Sequence, residues 1–214
     1  MKLVYFNGKG LAETSRILLA INKTKYEDVR YPINEKWEKP EFDEDKKNGK
    51  LSLSLNKLPY LEINKGHITH CIPQSKAIER YIAKKYNMMG SNDIECGMID
   101  AICEVIRDIK DAYQKVRKVE ENEKEEAMKE WFTVTIVERL KLLNDIVNDN
   151  SYCVGNKLSL ADVVLYSLIT QFFTDVDSAK KAIEHTVNLK KIVENVESIS
   201  EVKEWINKRT NTLF

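Results

Sequence analysis

The chain has 214 residues, 43% of them hydrophobic and 32% charged, enough for one large domain or two small ones with cores of their own. Its 34 Lys and Arg balance 34 Asp and Glu, so no basic field exists to hold nucleic acid or an anionic membrane surface. No run approaches 18 consecutive apolar residues, and Met1 leads directly into a strand-like segment, so neither a membrane span nor a secretory leader is expected and the protein is placed in the cytosol.

In chain order, residues 2–6 (KLVYF), 26–31 (YEDVRY), 58–63 (LPYLEI) and 67–72 (HITHCI) are short, rich in β-branched and aromatic residues, and bounded by turn formers. They read as strands. Residues 11–22 carry Ile17, Leu18 and Ile21 at helical spacing, and 75–86 carry Ile78, Tyr81 and Ile82. An irregular polar stretch separates the second and third strands. The order β-α-β then β-β-α joins a right-handed crossover to a hairpin, most simply as a four-stranded mixed sheet.

Residues 87–93 (NMMGSND) break the pattern and mark the boundary between a domain of residues 1–88 and a second of residues 89–214. The second half reads as all-helical. Ile94, Met98, Ile102, Val105, Ile109, Ala112 and Val116 form a seam on a helix of about seven turns. A charge-dense run, ENEKEEAMKE, precedes a second long helix bearing Trp131, Val134, Val137, Leu140 and Leu143. Ser159 and Asp162 have capping-box spacing ahead of an apolar helix. Segments 189–196 and 199–208 close the chain, with Trp205 as a packing anchor.

Four cysteines without C-x-x-C spacing read as free buried thiols. His67 and His70 point to opposite faces of a strand, so no metal site is expected. Three places carry chemistry. Tyr5 stands between an apolar run and Gly8-Lys9-Gly10, where a core tyrosine and a phosphate-cradling turn are both open readings; the glycines lack the third member of a dinucleotide fingerprint. Pro59 opens the strand YLEI without an N–H for the ladder, and a cis bond there would leave the Leu58 backbone free to pair with something extended. At Pro73-Gln74-Ser75 a strand hands over to a helix, so N–H groups, a hydroxyl and an amide converge on a partial positive charge suited to a carboxylate.

Tyr5-Phe6-Asn7, Ala12-Glu13 with Arg16, Lys57-Leu58-Pro59, Gln74-Ser75 with Ala77-Ile78, and Gly155-Asn156 followed by Ala161-Asp162 resemble the cytosolic glutathione S-transferases over nearly the whole chain. Among their classes the sigma class, which includes prostaglandin D synthases and S-crystallins, is most similar. The resemblance implies a thioredoxin-like N-terminal domain with a four-stranded mixed sheet, an all-helical C-terminal domain, and a homodimer. It implies glutathione as co-substrate and a small hydrophobic electrophile or peroxide as acceptor. Tyr5 becomes the catalytic residue that stabilises the glutathione thiolate. Gln74 and Ser75 hold the γ-glutamyl end, Leu58 pairs with the cysteinyl unit, Lys57 and Trp37 lie near the glycyl end, and Asn56 is a further glutathione-binding residue. Asp108 reaches across the dimer, and Phe6, Leu11, Tyr113 and Phe214 line the acceptor pocket. A glutathione-dependent isomerase and a non-catalytic ligand-binding or structural homologue are the alternatives.

The chain departs from that pattern in several places. Leu11 stands where sigma members carry an arginine near the thiol. The stretch from Trp37 to Lys57 is longer, HITHCIP adds residues before Gln74, and Gln114-Lys115 replaces an aromatic beside the prostaglandin pocket. Arg107 interrupts an acidic cluster tied to metal activation, so a magnesium effect is not expected.

Overall fold

The computed structural model describes residues 1–212. They form two compact units, one of Met1–Tyr86 joined by the chain from Glu201 onward, the other of Asn87–Ser200.

The first unit is built on β1 (Lys2–Phe6), β2 (Glu27–Tyr31), β3 (Tyr60–Lys65) and β4 (Ile68–Pro73), in the sheet order β2-β1-β3-β4. β1 runs parallel to β2 and antiparallel to β3, and β3 antiparallel to β4. This is the mixed, thioredoxin-like sheet expected from the sequence. Leu3 and Val4 on neighbouring pleats are both buried, as befits a central strand covered on both faces. The third strand starts at Tyr60 rather than at residue 58, because Pro59 has no N–H to give the ladder. Gly66 (φ 63°) and His67 form a two-residue turn between Lys65 and Ile68, which are paired. The added residues HITHCIP are therefore β4 itself with its turn.

α1 (Glu13–Ile21) follows a 3-10 turn at Gly10–Ala12. Seven consecutive residues of it, Glu13 to Leu19, are buried, so the helix has no solvated face and its two charged residues lie inside the unit. α2 (Pro40–Lys47) occupies the stretch read as irregular. Pro40 begins it, Glu41 and Asp43 lie in its first turn, Lys46 and Lys47 in its last, and Phe42 alone is buried. α3 (Ser75–Lys85) ends on Lys84 and Lys85, which meet its negative end. A sequence division at residue 88 would leave the C-terminal segment with the helices, yet it packs with the first unit, where the Trp205 indole N–H and Arg209 donate to Glu13.

The second unit contains α4 (Asp93–Val116), α5 (Lys124–Glu130), α6 (Ile136–Ile146), α7 (Leu160–Ser167), α8 (Val176–Ala182) and α9 (Val187–Ser198). α10 (Ser200–Lys208) then begins the segment that belongs to the first unit. α4 is capped by Asn92, whose side chain accepts from the Glu95 N–H. Its buried stripe is Ile99, Ile102, Cys103, Ile106, Ile109 and Tyr113. The expected seam shares only Ile102 and Ile109 with it. Ile94, Met98 and Val105 are 76%, 42% and 39% exposed, because steps of three and four from Ile102 continue equally well on either side of the helix. The second long helix is interrupted: a π-helical turn at Trp131–Thr135 separates α5 from α6 and slips the phase. The buried residues become Trp131, Phe132, Ile136, Leu140 and Leu143, while Val134 is exposed.

α7 is buried all round. Asp162 accepts from the Ser159 N–H, the Ser159 hydroxyl and the Cys153 N–H, and the Leu160 N–H donates to the Met88 carbonyl. Burial pushes the Asp162 carboxyl up, against the pull of those donors. The four cysteines are free thiols, Cys103 and Cys153 buried as expected, Cys71 and Cys96 only partly covered. Among the described residues no helix is long and apolar enough to cross a membrane.

Candidate functional site

The sheet register gathers the predicted residues of the first unit. Val4 pairs with Tyr60, and Tyr60 pairs with Pro73. Tyr5 follows the first, Leu58-Pro59 precedes the second, and Gln74 follows the third, so all stand at one end of the sheet on three adjacent strands. Neighbouring strands lie about 4.8 Å apart, so this end spans about the length of a short extended peptide.

Tyr5 is half-buried at the end of β1. The Leu11 N–H donates to its hydroxyl at 3.2 Å. That bond uses the oxygen as acceptor and leaves the phenolic proton to be donated elsewhere. Burial pushes the Tyr5 hydroxyl above its ordinary range, opposed by the Leu11 N–H and by the charge of Arg16. The phenol therefore holds its proton at neutral pH and serves as a donor.

Gly10 makes the approach possible. It has φ +37°, and a Cβ there would stand 2.6 Å from the Tyr5 hydroxyl and 3.0 Å from the ring edge. Gly10→Ala is expected to displace the ring and to lower any activity that depends on the Tyr5 hydroxyl at least about ten-fold. Combined with Tyr5→Phe, it should add little to the loss seen with Tyr5→Phe alone. A full second loss in the double variant would separate the glycine from the tyrosine.

The other two corners are backbone sites. The Leu58-Pro59 bond is cis. The Leu58 N–H and C=O have no hydrogen-bond partner among the described residues. Gln74 precedes α3 with φ 73° and ψ 120°, an uncommon conformation for a residue with a side chain, and no side chain caps the helix. The first N–H groups of α3 thus point out of the sheet end with the Ser75 hydroxyl beside them, a seat for a carboxylate.

The remaining predicted residues are distributed unevenly. Asn56 and Lys57 are exposed on the turn before Leu58, with Asn56 at φ 55°. Trp37 is 57% exposed with φ 62°, on a turn closed by its N–H to the Asn34 carbonyl. Phe6 packs edge-on against Tyr5 and against Phe42 of α2, and Leu11 is 52% exposed. In the second unit Asp108 is exposed on α4. Tyr113 does not suit the pocket role expected of it. It is 0% exposed, ringed by Trp131, Phe132, Phe172 and Phe173, with its hydroxyl 2.8 Å from Thr174 Oγ1. A ring so enclosed is core and offers no surface to a ligand. Phe214 lies outside the described residues. Among the described residues no three His, Cys, Asp or Glu side chains converge as a metal cluster.

Glu13 and Arg16 belong to the motif that carries the resemblance, and their spacing alone assigns them no role. Arg16 is 0% exposed and Glu13 3%. Arg16 Nη1 donates to the Gly8 carbonyl at 2.6 Å, tying the turn that carries Gly10 and Leu11 to α1. The available signal was an opposite-charge pair at i and i+3 inside an apolar helix.

A mixed sheet in the order β2-β1-β3-β4, followed in the chain by a unit of helices, defines the class: a thioredoxin-like domain joined to an all-helical one. Residues 1–84 match the family model for the glutathione S-transferase N-terminal domain, and residues 107–209 that for the glutathione S-transferase C-terminal domain. The 28 kDa class-mu glutathione S-transferase of Schistosoma bovis is 32% identical over 83% of this chain and 80% of its own. Glutathione S-transferase Mu 1 of Bos taurus is 27% identical over 96% and 90%. The solved structure of prostaglandin synthase D of Nilaparvata lugens superposes with a TM-score of 0.79 at 28% identity, covering 99% of this chain and 98% of that one. The chain belongs to the glutathione S-transferases and is a glutathione transferase.

Proposed function

We propose that Tyr5 ionises the thiol of bound glutathione by donating its hydroxyl proton in a hydrogen bond to sulfur. The observation that carries this reading is the Leu11 N–H held against the Tyr5 oxygen, which commits the lone pair inward and the proton outward. A thiol of unperturbed pKa about 8.5 is mostly protonated at neutral pH, and a donor that favours the thiolate lowers that value. The thiol proton leaves to solvent. The sulfur then forms a bond to the electrophilic carbon of the acceptor, and any displaced group departs with that carbon's former bonding pair.

In this reading the Leu58 backbone pairs with the cysteinyl unit as an added strand. Gln74, Ser75 and the α3 N-terminus hold the γ-glutamyl end, and Asn56, Lys57 and Trp37 border the glycyl end. Phe6 and Leu11 offer apolar surface to a hydrophobic electrophile or a peroxide, the work of a detoxifying enzyme in the cytoplasm. The chain is assigned to the sigma class and to a homodimer, in which Asp108 reaches the partner's γ-glutamyl amine. The exposed Ile94, Met98 and Val105 on one side of α4 support pairing with a second copy. A glutathione-dependent isomerase is the second reading, favoured by the likeness to a prostaglandin synthase.

Titrating the protein with glutathione across pH, while following thiolate absorbance, tests the proposal. The bound thiol should titrate about one to two units below the free one, and a panel of electrophiles should be conjugated with the same pH profile. Binding with an unshifted thiol would instead favour a non-catalytic ligand-binding protein.

A further inference from the structure

Behind the turn that presents Leu11 to Tyr5 lies a buried cluster of charges. Arg16 Nη1 donates to Gly8 O and, at 3.3 Å, to Glu13 Oε2, and its Nε donates to Asp28 Oδ1 at 3.2 Å. The other oxygen of Asp28 pairs with Arg30 at 2.8 Å, and Arg30 Nη1 reaches Asn7 Oδ1 at 3.3 Å. Glu13 Oε1 faces the C-terminal segment, where it accepts from Trp205 Nε1 at 2.9 Å and from Arg209 Nη1. Arg209 is itself largely covered, its side chain 14% exposed.

Two carboxylates, Glu13 and Asp28, thus meet three guanidiniums, Arg16, Arg30 and Arg209. The surplus is one positive charge, and Arg209 supplies it from a segment 192 or more residues away in sequence. Without Arg209 the cluster is neutral and Glu13 is left to oppose Arg16, whose field acts on the Tyr5 hydroxyl. Tyr26, whose hydroxyl is buried and unpaired among the described residues, is the other titratable group facing this cluster. Burial and the neighbouring Asp28 raise it, so it stays neutral and does not alter the sum.

We propose that Arg209 is a positioning residue for the thiol reaction: by holding Glu13 it leaves a net positive charge behind the Gly8–Leu11 turn, and the C-terminal segment thereby favours the thiolate at Tyr5. This deepens the reading of Tyr5 and rests on it. It also supplies a cation where Leu11 provides none, from behind the turn instead of from within the pocket. At an effective dielectric of about 50, between protein and water, one charge about 10 Å away moves a titration by about half a unit.

The test compares Arg209→Gln, Glu13→Gln and Trp205→Phe with the parent protein. Each is read by the pH profile of kcat/KM, the thiolate absorbance of bound glutathione, and urea unfolding. Arg209→Gln removes a positive charge and should raise the bound thiol's apparent pKa by about half a unit, roughly a three-fold loss of thiolate below that pKa. Glu13→Gln removes a negative charge, keeps an acceptor for Trp205, and should shift the profile the opposite way. Trp205→Phe deletes a neutral donor and should lower the unfolding midpoint with the profile unmoved.

Shifts of the same sign in Arg209→Gln and Glu13→Gln would overturn the proposal, as would a folded Arg209→Gln protein with the parent profile. Should Arg209→Gln fail to fold, the sign of the Glu13→Gln shift still decides. Tyr5→Phe run in parallel separates the two readings. If Tyr5→Phe loses the thiolate while the charge variants leave it in place, the coupling alone fails. If Tyr5→Phe keeps the parent profile, the phenol reading fails, and the charge variants still report directly on the bound thiol.

Discussion

Tyr5→Phe is expected to lower kcat/KM for glutathione conjugation by roughly 10- to 100-fold and to raise the apparent thiol pKa by about one to two units, with the fold intact. The size follows from what is removed. A hydrogen bond to a charged group is worth about 1.5–3 kcal/mol, and about 1.4 kcal/mol is ten-fold in rate. The ring remains to pack edge-on against Phe6, so only the hydroxyl is lost. The Leu11 N–H also loses its acceptor, but it lies at an exposed position where water can replace the phenol. Stability should therefore change by no more than about 1 kcal/mol. The measurement is the pH dependence of kcat/KM beside the thiolate absorbance of the bound tripeptide. A variant within a few-fold of the parent at pH 7, with its profile unmoved, would remove Tyr5 from the chemistry.

Arg16→Leu carries the largest expected effect on stability, about 3–5 kcal/mol, because it strands buried partners instead of merely deleting a contact. Glu13, 3% exposed, would keep its charge with only the C-terminal donors. The Gly8 carbonyl would lose a 2.6 Å hydrogen bond inside the unit, and Asp28 would keep Arg30 alone. For a chain of this size the loss corresponds to a fall in Tm of roughly 6–20 °C. Glu13→Gln should cost much less, since Arg16 retains Asp28 and the amide oxygen still accepts. Urea unfolding of the two variants checks both the size and the order. A loss below about 1 kcal/mol for Arg16→Leu would mean that the pair is dispensable to the fold.

The sheet was legible because its signals are local. KLVYF and HITHCI are short, rich in β-branched and aromatic residues and bounded by turn formers, and Gly66-His67 closes the hairpin where a glycine demands it. Tyr5, Leu58 and Gln74 meet because one register brings three strand ends together, and that register follows once the strand order is known. α2 carries marks of its own, Pro40 at its start, acids in its first turn and lysines in its last, but its low hydrophobicity gives it the look of a loop and it reads as irregular. The helical unit was less legible for a different reason. The phase of a buried stripe depends on what packs against it, so α4 turns Tyr113 inward and Met98 outward with no mark in its own spacing. A π-turn such as Trp131–Thr135 shifts the phase by one residue and leaves no composition signal. Pairings such as Trp205 and Arg209 with Glu13 join distant parts of the chain and belong to tertiary structure alone.

The contrast between α1 and α2 gives this end of the sheet two mechanical characters. α1 is enclosed on every side, so the turn it anchors and the phenol against that turn share the opening free energy of the whole unit. α2 is held by the single ring of Phe42 on Phe6 and Tyr31, and by the Tyr31 hydroxyl on Asp45. With one buried residue against seven on α1, it has less packing to lose on opening. In the proposed reading a bound tripeptide would meet a rigid wall at its sulfur, with the compliant wall on the side of Phe6, which Phe42 of α2 covers. Reactivity would then be set before the ligand arrives, while residence time would be set by how firmly the ligand quiets α2.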